Sequence, residues 1–392
     1  MNSQNTPVHI KLWHREFWQL ALANLLLSMS VYMLIPVLPV WLIQEENFSS
    51  LQTGLSMGVF ALGLYLLGPF VSFLVQHYRR NRVCHWAIIG LIACQSLLWY
   101  VDTLKSEFVE CSLILIQRFA LGALFGLAQM VLSSTLVIDT CESYQRTEGN
   151  HSASWFGRFG LSLGPLAGLL LMSRFGFSVV IITAMGCAAA ALLLIRTISF
   201  PFRAPEDNVH VLSCDRFLLG QGGVLFLNLI LITIALGITI GQMQHMAEFG
   251  MMMTGFLLAL LAQRFVFRDA ELKSEVVTAL ILLLAALLIH QTQRTEAACY
   301  ISSSFVGLST GIVGTRFLLF FIKLSRHCQR GTSHSTFMLA WESGLALGIG
   351  LTYMLQDIMP GQGTLVSIAL TAVALSMYHL WTHNWFMIHK NR

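Results

Sequence analysis

The stretch Gly160-Leu161-Ser162-Leu163-Gly164-Pro165-Leu166-Ala167-Gly168 lies in an apolar run with no charge between Arg158 and Arg174. Glycines four residues apart share one face of a helix, where they let a second helix come close. That is how helices pack in lipid, where no hydrophobic force drives them together. A proline inside such a run frees a backbone carbonyl and permits a bend, which membrane helices tolerate. Residues 160–164 also spell Gly-x-Ser-x-Gly, which in hydrolases puts a nucleophile on a strand-to-helix turn. Here the pattern lies inside an apolar helix with no His/Asp partner, so enzymatic activity is not expected.

The rest of the chain has the same character. Of 392 residues, 56% are hydrophobic and 11% charged, against about 25% charged in soluble domains. Mean hydropathy is +0.69. Too few charges exist to build a water-facing surface, so the chain reads as an integral membrane protein. Its net charge of +4 is scattered, with no long basic stripe, and nucleic-acid binding is excluded on that ground. The eight cysteines show no CxxC spacing, so neither a disulfide framework nor a zinc ribbon is indicated.

A spanning helix needs about 20 mostly apolar residues. Runs of that kind predict twelve spans, at 17–43, 52–75, 84–103, 111–138, 152–173, 176–199, 217–240, 245–267, 274–291, 296–324, 335–356 and 362–386. The first run is too long for a cleavable signal, whose apolar region covers about 7–15 residues, and reads as a span that stays attached. With both termini cytoplasmic, 17 of the 23 Lys and Arg fall in cytoplasmic segments and three (Lys105, Arg174 and Arg294) in external loops. Arg118, Arg158 and Arg316 fall within spans. This asymmetry sets the orientation by the positive-inside rule. Short loops and the lack of organelle signals point to a bacterial inner membrane. They leave little surface for protein partners, so a monomer is expected.

An internal repeat runs through the chain. Gly122 and Gly126 recur as Gly307 and Gly311 (offset 185), Gly160 and Gly164 as Gly344 and Gly348 (offset 184), and Arg146 as Arg330 (offset 184). Leu74-Val75-Gln76-His77-Tyr78 is echoed by Leu261-Ala262-Gln263-Arg264-Phe265. The expected organisation is two parallel six-helix halves, 1–200 and 217–392, joined by a polar cytoplasmic linker, 201–216. Repeats of this kind are a known transporter plan.

Together these features resemble the major facilitator superfamily, over essentially the whole chain. Gly160, Gly164, Pro165 and Gly168 match its fifth-helix antiporter motif, GxxxGPxxG. Arg118 with Gly122 resembles its fourth-helix RxxxG. The loop between spans 2 and 3, Ser72-Phe-Leu-Val-Gln76-His77-Tyr-Arg79-Arg80-Asn81-Arg82, is a degraded form of the family's gate motif. Gln76 stands where the family has an aspartate, Arg80 and Arg82 stay in register, and Gln263 makes the same replacement in the second half. Gln76 cannot ion-pair, so the gate latch should be weaker or built differently. The resemblance implies an all-α membrane protein of twelve helices that works by alternating access, with spans 1, 4, 7 and 10 lining a cavity.

Ionisable groups inside a membrane are costly and mark function by default. Glu342 is the one acidic residue far from a span end. Arg316 comes to a similar depth on the preceding span, so the two are expected to pair, with Glu342 carrying a proton and Arg316 responding to it. Arg118 is the third coupling candidate. Asn24, Gln129, Asn228 and Trp341 are candidate cavity residues. The one HxxxH pattern, His379/His383, ends the last span, and neither a metal nor a cofactor is expected. Without a GxxxxGK[ST] phosphate loop, energy must come from a gradient. The expected activity is proton-coupled export of a small amphipathic compound across the lipid bilayer. The alternatives are a proton symporter importing a metabolite, or a transporter-like receptor that moves nothing.

Overall fold

The computed structural model describes residues 11–104, 111–142, 144–200, 210–268, 270–293 and 295–391. Among them no strand occurs, and twelve helices are long and apolar enough to cross a membrane. In chain order these are α1 (Arg15–Gln44), α2 (Ser50–His77), α3 (Arg80–Thr103), α4 (Cys111–Asp139), α5 (Arg146–Phe175), α6 (Phe177–Arg196), α7 (Gly220–Gln242), α8 (Met246–Phe265), α9 (Leu272–Thr292), α10 (Glu296–Leu324), α11 (Arg330–Ile358) and α12 (Gly363–His389). The predicted spans agree to within about three residues, except that α3, α5 and α11 start four to six residues earlier. Their first turns are polar, so hydropathy does not register them, but the helices continue through. Residues 201–209 of the predicted linker lie outside the described residues, as do Lys105, Arg203, Arg294 and Arg392 of the charge count.

Local sequence explains where the helices start and bend. Ser49 and Gln52 form a reciprocal capping box that opens α2, and Thr295 caps α10. The helix of α1 breaks at Met33. Pro36 has no N–H to offer the Tyr32 carbonyl and crowds it, so the ladder fails there. In α4, residues Leu132–Leu136 form a π turn, a local widening common at functional sites.

Packing repeats through the chain. α1 lies on α5 and α6, α2 on α4, and α3 on α4 and α6. The second set follows the same order: α7 on α11 and α12, α8 on α10, and α9 on α10 and α12. The repeated glycines sit at matching seams. Gly122 and Gly126 meet the α2 backbone at Phe60 and Leu64, while Gly307 and Gly311 meet Met252 and Ala259 of α8. A Cβ on Gly160 would stand 2.8 Å from the Ser28 Cβ, and one on Gly164 would stand 3.1 Å from that of Tyr32. Gly168 abuts the Met33 carbonyl. GxxxGPxxG therefore seats α5 on α1. Its counterparts Gly344 and Gly348 seat α11 on α7, and α5 stays one continuous helix through Pro165.

The most extensive contacts between the sets are α2 with α11 and α5 with α8, and α4 with α11 and α5 with α10 also touch. On the face away from the chain termini, a Cβ on Gly54 would lie 2.6 Å from the Gly350 carbonyl oxygen. Deeper along the same pair, the Tyr65 and Ser343 hydroxyls are 3.0 Å apart. Ser162 Oγ of α5 donates to the Phe249 carbonyl of α8 at 2.6 Å.

Candidate functional site

The contact between the two sets of helices encloses two small chambers, with Tyr32 and Glu342 in the walls of both. α5 runs from 146 to 175 and α11 from 330 to 358, so Arg158 and Glu342 each lie close to the middle of their helix. At 1.5 Å per residue each sits roughly 18 Å from its helix start. Tyr32 O–H donates to Glu342 Oε1, tying α1 to α11 at mid-membrane. Glu342 is 8% exposed and Tyr32 5%.

The outer chamber, away from the termini, holds about 30 Å³ and is mostly apolar: Met57, Phe60, Ile35, Leu345 and Ile349, with Arg118 as its cation. The Arg118 guanidinium lies 5.1 Å from the Phe60 ring centre, and its Nε and Nη1 have no partner among the described residues. The inner chamber holds about 50 Å³ and is more polar. Asn24, Gln129, Arg158, His334, Trp341 and Glu342 contribute to its wall. Asn24 Nδ2 donates to the Ala153 carbonyl at 2.9 Å, and Gln129 Nε2 to Ser28 Oγ at 3.2 Å. The π turn of α4 puts Ser133 in this wall. Ser134 and Thr135 face a vestibule of about 240 Å³ on the terminus-bearing side, lined also by Arg80, Arg146, Arg216 and Arg330.

Arg158 crosses the contact. Its guanidinium carbon is 5.1 Å from the Trp155 ring centre and 5.9 Å from that of Trp341. A Cβ at Gly314 would meet Arg158 Nε at 2.6 Å, so a side chain there would displace the guanidinium from its seat against α10. Nη1 and Nη2 have no hydrogen-bond partner among the described residues, and the residue is 4% exposed. Ring contacts return about 0.5–2 kcal/mol, whereas burying an unpaired ion costs several kcal/mol. The rings alone do not offset the burial.

Several sequence expectations need correction. Arg316 does not pair with Glu342. Its guanidinium is bound to the Glu275 carboxylate of α9. The cause is helix rotation. Gly314 faces the contact with Arg158, and two residues on, at 100° each, Arg316 points roughly 200° away toward α9. Glu275, counted from sequence as a span-end acid, is 1% exposed. Asn228 does not face the chambers: its Nδ2 donates to the Ala374 carbonyl of α12 at 3.0 Å. His334 looks interfacial in sequence yet lines the inner chamber, because α11 begins before its apolar run does. Asn24, Gln129, Trp341, Glu342 and Arg118 do line the chambers.

The loop between α2 and α3 has its own arrangement. Gln76 is half-buried at the end of α2. Arg80 forms its ion pair with Asp139, at the end of α4, and Arg82 is exposed. The anion absent at position 76 is thus supplied to Arg80 from another helix. Gln263 Nε2 donates to Thr315 Oγ1, linking α8 to α10. Arg158, Tyr32 and Glu275 are the residues sequence reading undervalued. The available signal was an arginine two residues before the Gly160 seam, on a helix whose glycine face was already known.

The sequence model of the Major Facilitator Superfamily matches residues 20–349. The chain belongs to this family. It is a multi-pass membrane protein with the fold of secondary transporters, a class that is generally not enzymatic. Solved structures share the fold at low identity. The human organic anion transporter MFSD10 is 17% identical, with 93% of this chain and 99% of that one covered and a TM-score of 0.69. The E. coli fucose:proton symporter FucP is 12% identical, with 94% and 98% covered and a TM-score of 0.65. A bacterial homologue of the iron transporter ferroportin, in an outward-facing state, is 15% identical, with 95% and 99% covered and a TM-score of 0.61.

Proposed function

We propose that the protein is a proton-coupled secondary transporter that moves a small amphipathic compound by alternating access, with Glu342 as its proton carrier. The observation that carries this reading is the Tyr32–Glu342 hydrogen bond, which joins α1 to α11 at mid-membrane between the two chambers. Glu342 is the carboxylate these chambers share. Protonating it replaces a charge-assisted hydrogen bond with a weaker neutral one, which loosens the contact between 1–200 and 217–392 and lets the halves rock. Arg118, in the outer chamber, holds the carboxylate's field on that side. Arg316 acts indirectly, by fixing α10 to α9.

The GxxxGPxxG seam of α5 favours export in exchange for protons. A second reading, co-transport with the proton, rests on a separate observation: Arg118 and Arg158 leave the chambers with more cation than carboxylate. A bound anion then favours Glu342 in its protonated form, so proton and cargo move together. By name, the solved relatives carry organic anions or couple fucose to protons, so the fold alone fixes neither cargo nor coupling. The charge bias of the loops supports cytoplasmic termini in an inner membrane, and the protein acts as a monomer without cofactor or metal.

The test is proton flux in proteoliposomes holding an internal pH dye, with anionic, neutral and cationic amphipaths added in turn. Cargo-dependent proton movement in the native protein, lost in Glu342→Gln, is the expected result, and its sign separates exchange from co-transport. Cargo-driven flux that survives in Glu342→Gln would overturn the carrier role.

A further inference from the structure

We propose that the inner chamber is an anion site, in which Arg158 grips the carboxylate of an organic acid through Nη1 and Nη2 while the apolar body of the acid lies on Trp341 and Phe337. This inference rests on reading the chamber as the transport site, and it deepens that reading by giving the chemical class of the cargo.

Two independent observations point to a ligand. The first is the donor. Arg158 is 96% buried, its two terminal nitrogens have no partner among the described residues, and it lines the chamber. A guanidinium presents two parallel N–H groups in the geometry of a carboxylate, which Lys, a point charge, does not. The second is the wall. Trp341 and Phe337, with ring centres 5.8 Å apart, form an aromatic surface one helix turn deep beside the guanidinium. His334 Nδ1 and Asn24 Oδ1 there also lack partners among the described residues. Gly314 and Gly157 keep the space clear: a Cβ at Gly157 would come within 3.3 Å of Asn24 Nδ2.

The rival account is a structural arginine held by tryptophans. It leaves two buried N–H-bearing nitrogens unmatched, as at Arg118, whereas Arg316 is paired with Glu275. A cationic cargo would meet Arg158 head-on, with Glu342 already engaged by Tyr32. The vestibule adds a path for the same sign of charge. Arg80, Arg146, Arg216 and Arg330 outnumber Asp139 and Asp215 around it, and a basic funnel concentrates anions.

The experiment is calorimetric titration of the purified full-length protein in detergent with three ligands on one ring: 2-naphthoate, its neutral amide and the corresponding amine. The native protein should bind naphthoate at least tenfold more tightly than the amide, and the amine least. Arg158→Gln should erase the preference for the acid, while Glu342→Gln, which removes the nearby negative charge, should keep or strengthen it. Arg158→Lys retains the charge without the fork, so it should weaken naphthoate about tenfold and leave the amide unchanged. That variant decides the matter if the glutamine variant fails to fold. Equal binding of acid and amide by the native protein, no binding of the acid, or a preference that survives loss of Arg158 would each overturn the anion site. Since the readout is binding, it stands or falls separately from proton coupling.

Discussion

Arg316 and Arg158 make the instructive comparison. Both are arginines within spans of neighbouring helices; sequence reading assigned Glu342 to Arg316 as its partner and noted Arg158 only as a charge. Arg316 points into the second set of helices and meets Glu275. Arg158 points across the contact between the two sets and meets two indole rings and a chamber. A neutralised charge clamps helices together, while an unanswered one is held ready for something that arrives. The same contrast extends to the glycine seams. Within each set, backbones touch at the seams, and buried atoms left over there include neutral amide oxygens such as those of Gln95, Gln117 and Asn228. Between the sets lie the orphaned atoms of Arg118, Arg158, His334 and Asn24.

The comparison can be broken by mutation, most strongly at Glu275. Glu275→Gln should cost about 3 kcal/mol of stability, because it strands Arg316 with no counter-charge. Arg158→Gln should cost nothing and should stabilise by about 1 kcal/mol or more, since it removes a buried charge that only ring contacts offset. Detergent-solubilised unfolding curves measure both, and equal losses would end the distinction between clamp and site. Gly168→Val comes next. Its side chain would run into the Met33 carbonyl, and overpacking of this kind costs about 2 kcal/mol.

Tyr32→Phe removes a hydrogen bond to a carboxylate, worth about 1.5–3 kcal/mol. It lies at the contact between the sets, so it should appear as at least a tenfold change in cargo-driven proton flux, with little effect on melting. A melting loss without a flux change would make Tyr32 a clamp as well. Gly186→Ala in α6 should be neutral or stabilising by up to about 1 kcal/mol, as nothing lies within 4 Å of its new methyl. It is the control for Gly168.

The gentlest test changes no residue. Cys214 and Cys328 are exposed on the terminus-bearing side, while burial pushes the Cys141 thiol up to about 11 and keeps it unreactive. A membrane-impermeant maleimide should therefore label inside-out vesicles and spare right-side-out ones at Cys214 and Cys328. The reverse pattern would invert the proposed topology.

Much of the candidate site was legible in the sequence. Glu342, Arg118, Gln129, Asn24 and Trp341 stood out because polar groups are rare in apolar runs, and the structure gathers them around two adjoining chambers. Asn228 stood out for the same reason and faces α12 instead. Rarity marks a residue as significant without saying which neighbour it serves. Arg158 and His334 were passed over because one was only counted as a charge and the other lay beyond the apolar stretch.

The sequence by itself determined the number, length and order of the helices. Lipid leaves backbone groups no partner outside the segment, so hydropathy and length suffice to define a span. It also determined the repeat, since a glycine seam must recur wherever backbones meet. Only the tertiary structure decided which charges answer one another. Each residue turns a helix by 100°, so two positions along α10 separate Gly314 at Arg158 from Arg316 at Glu275. Depth along the chain is written in the sequence. Direction around the helix acquires meaning only when the neighbouring helices are in place.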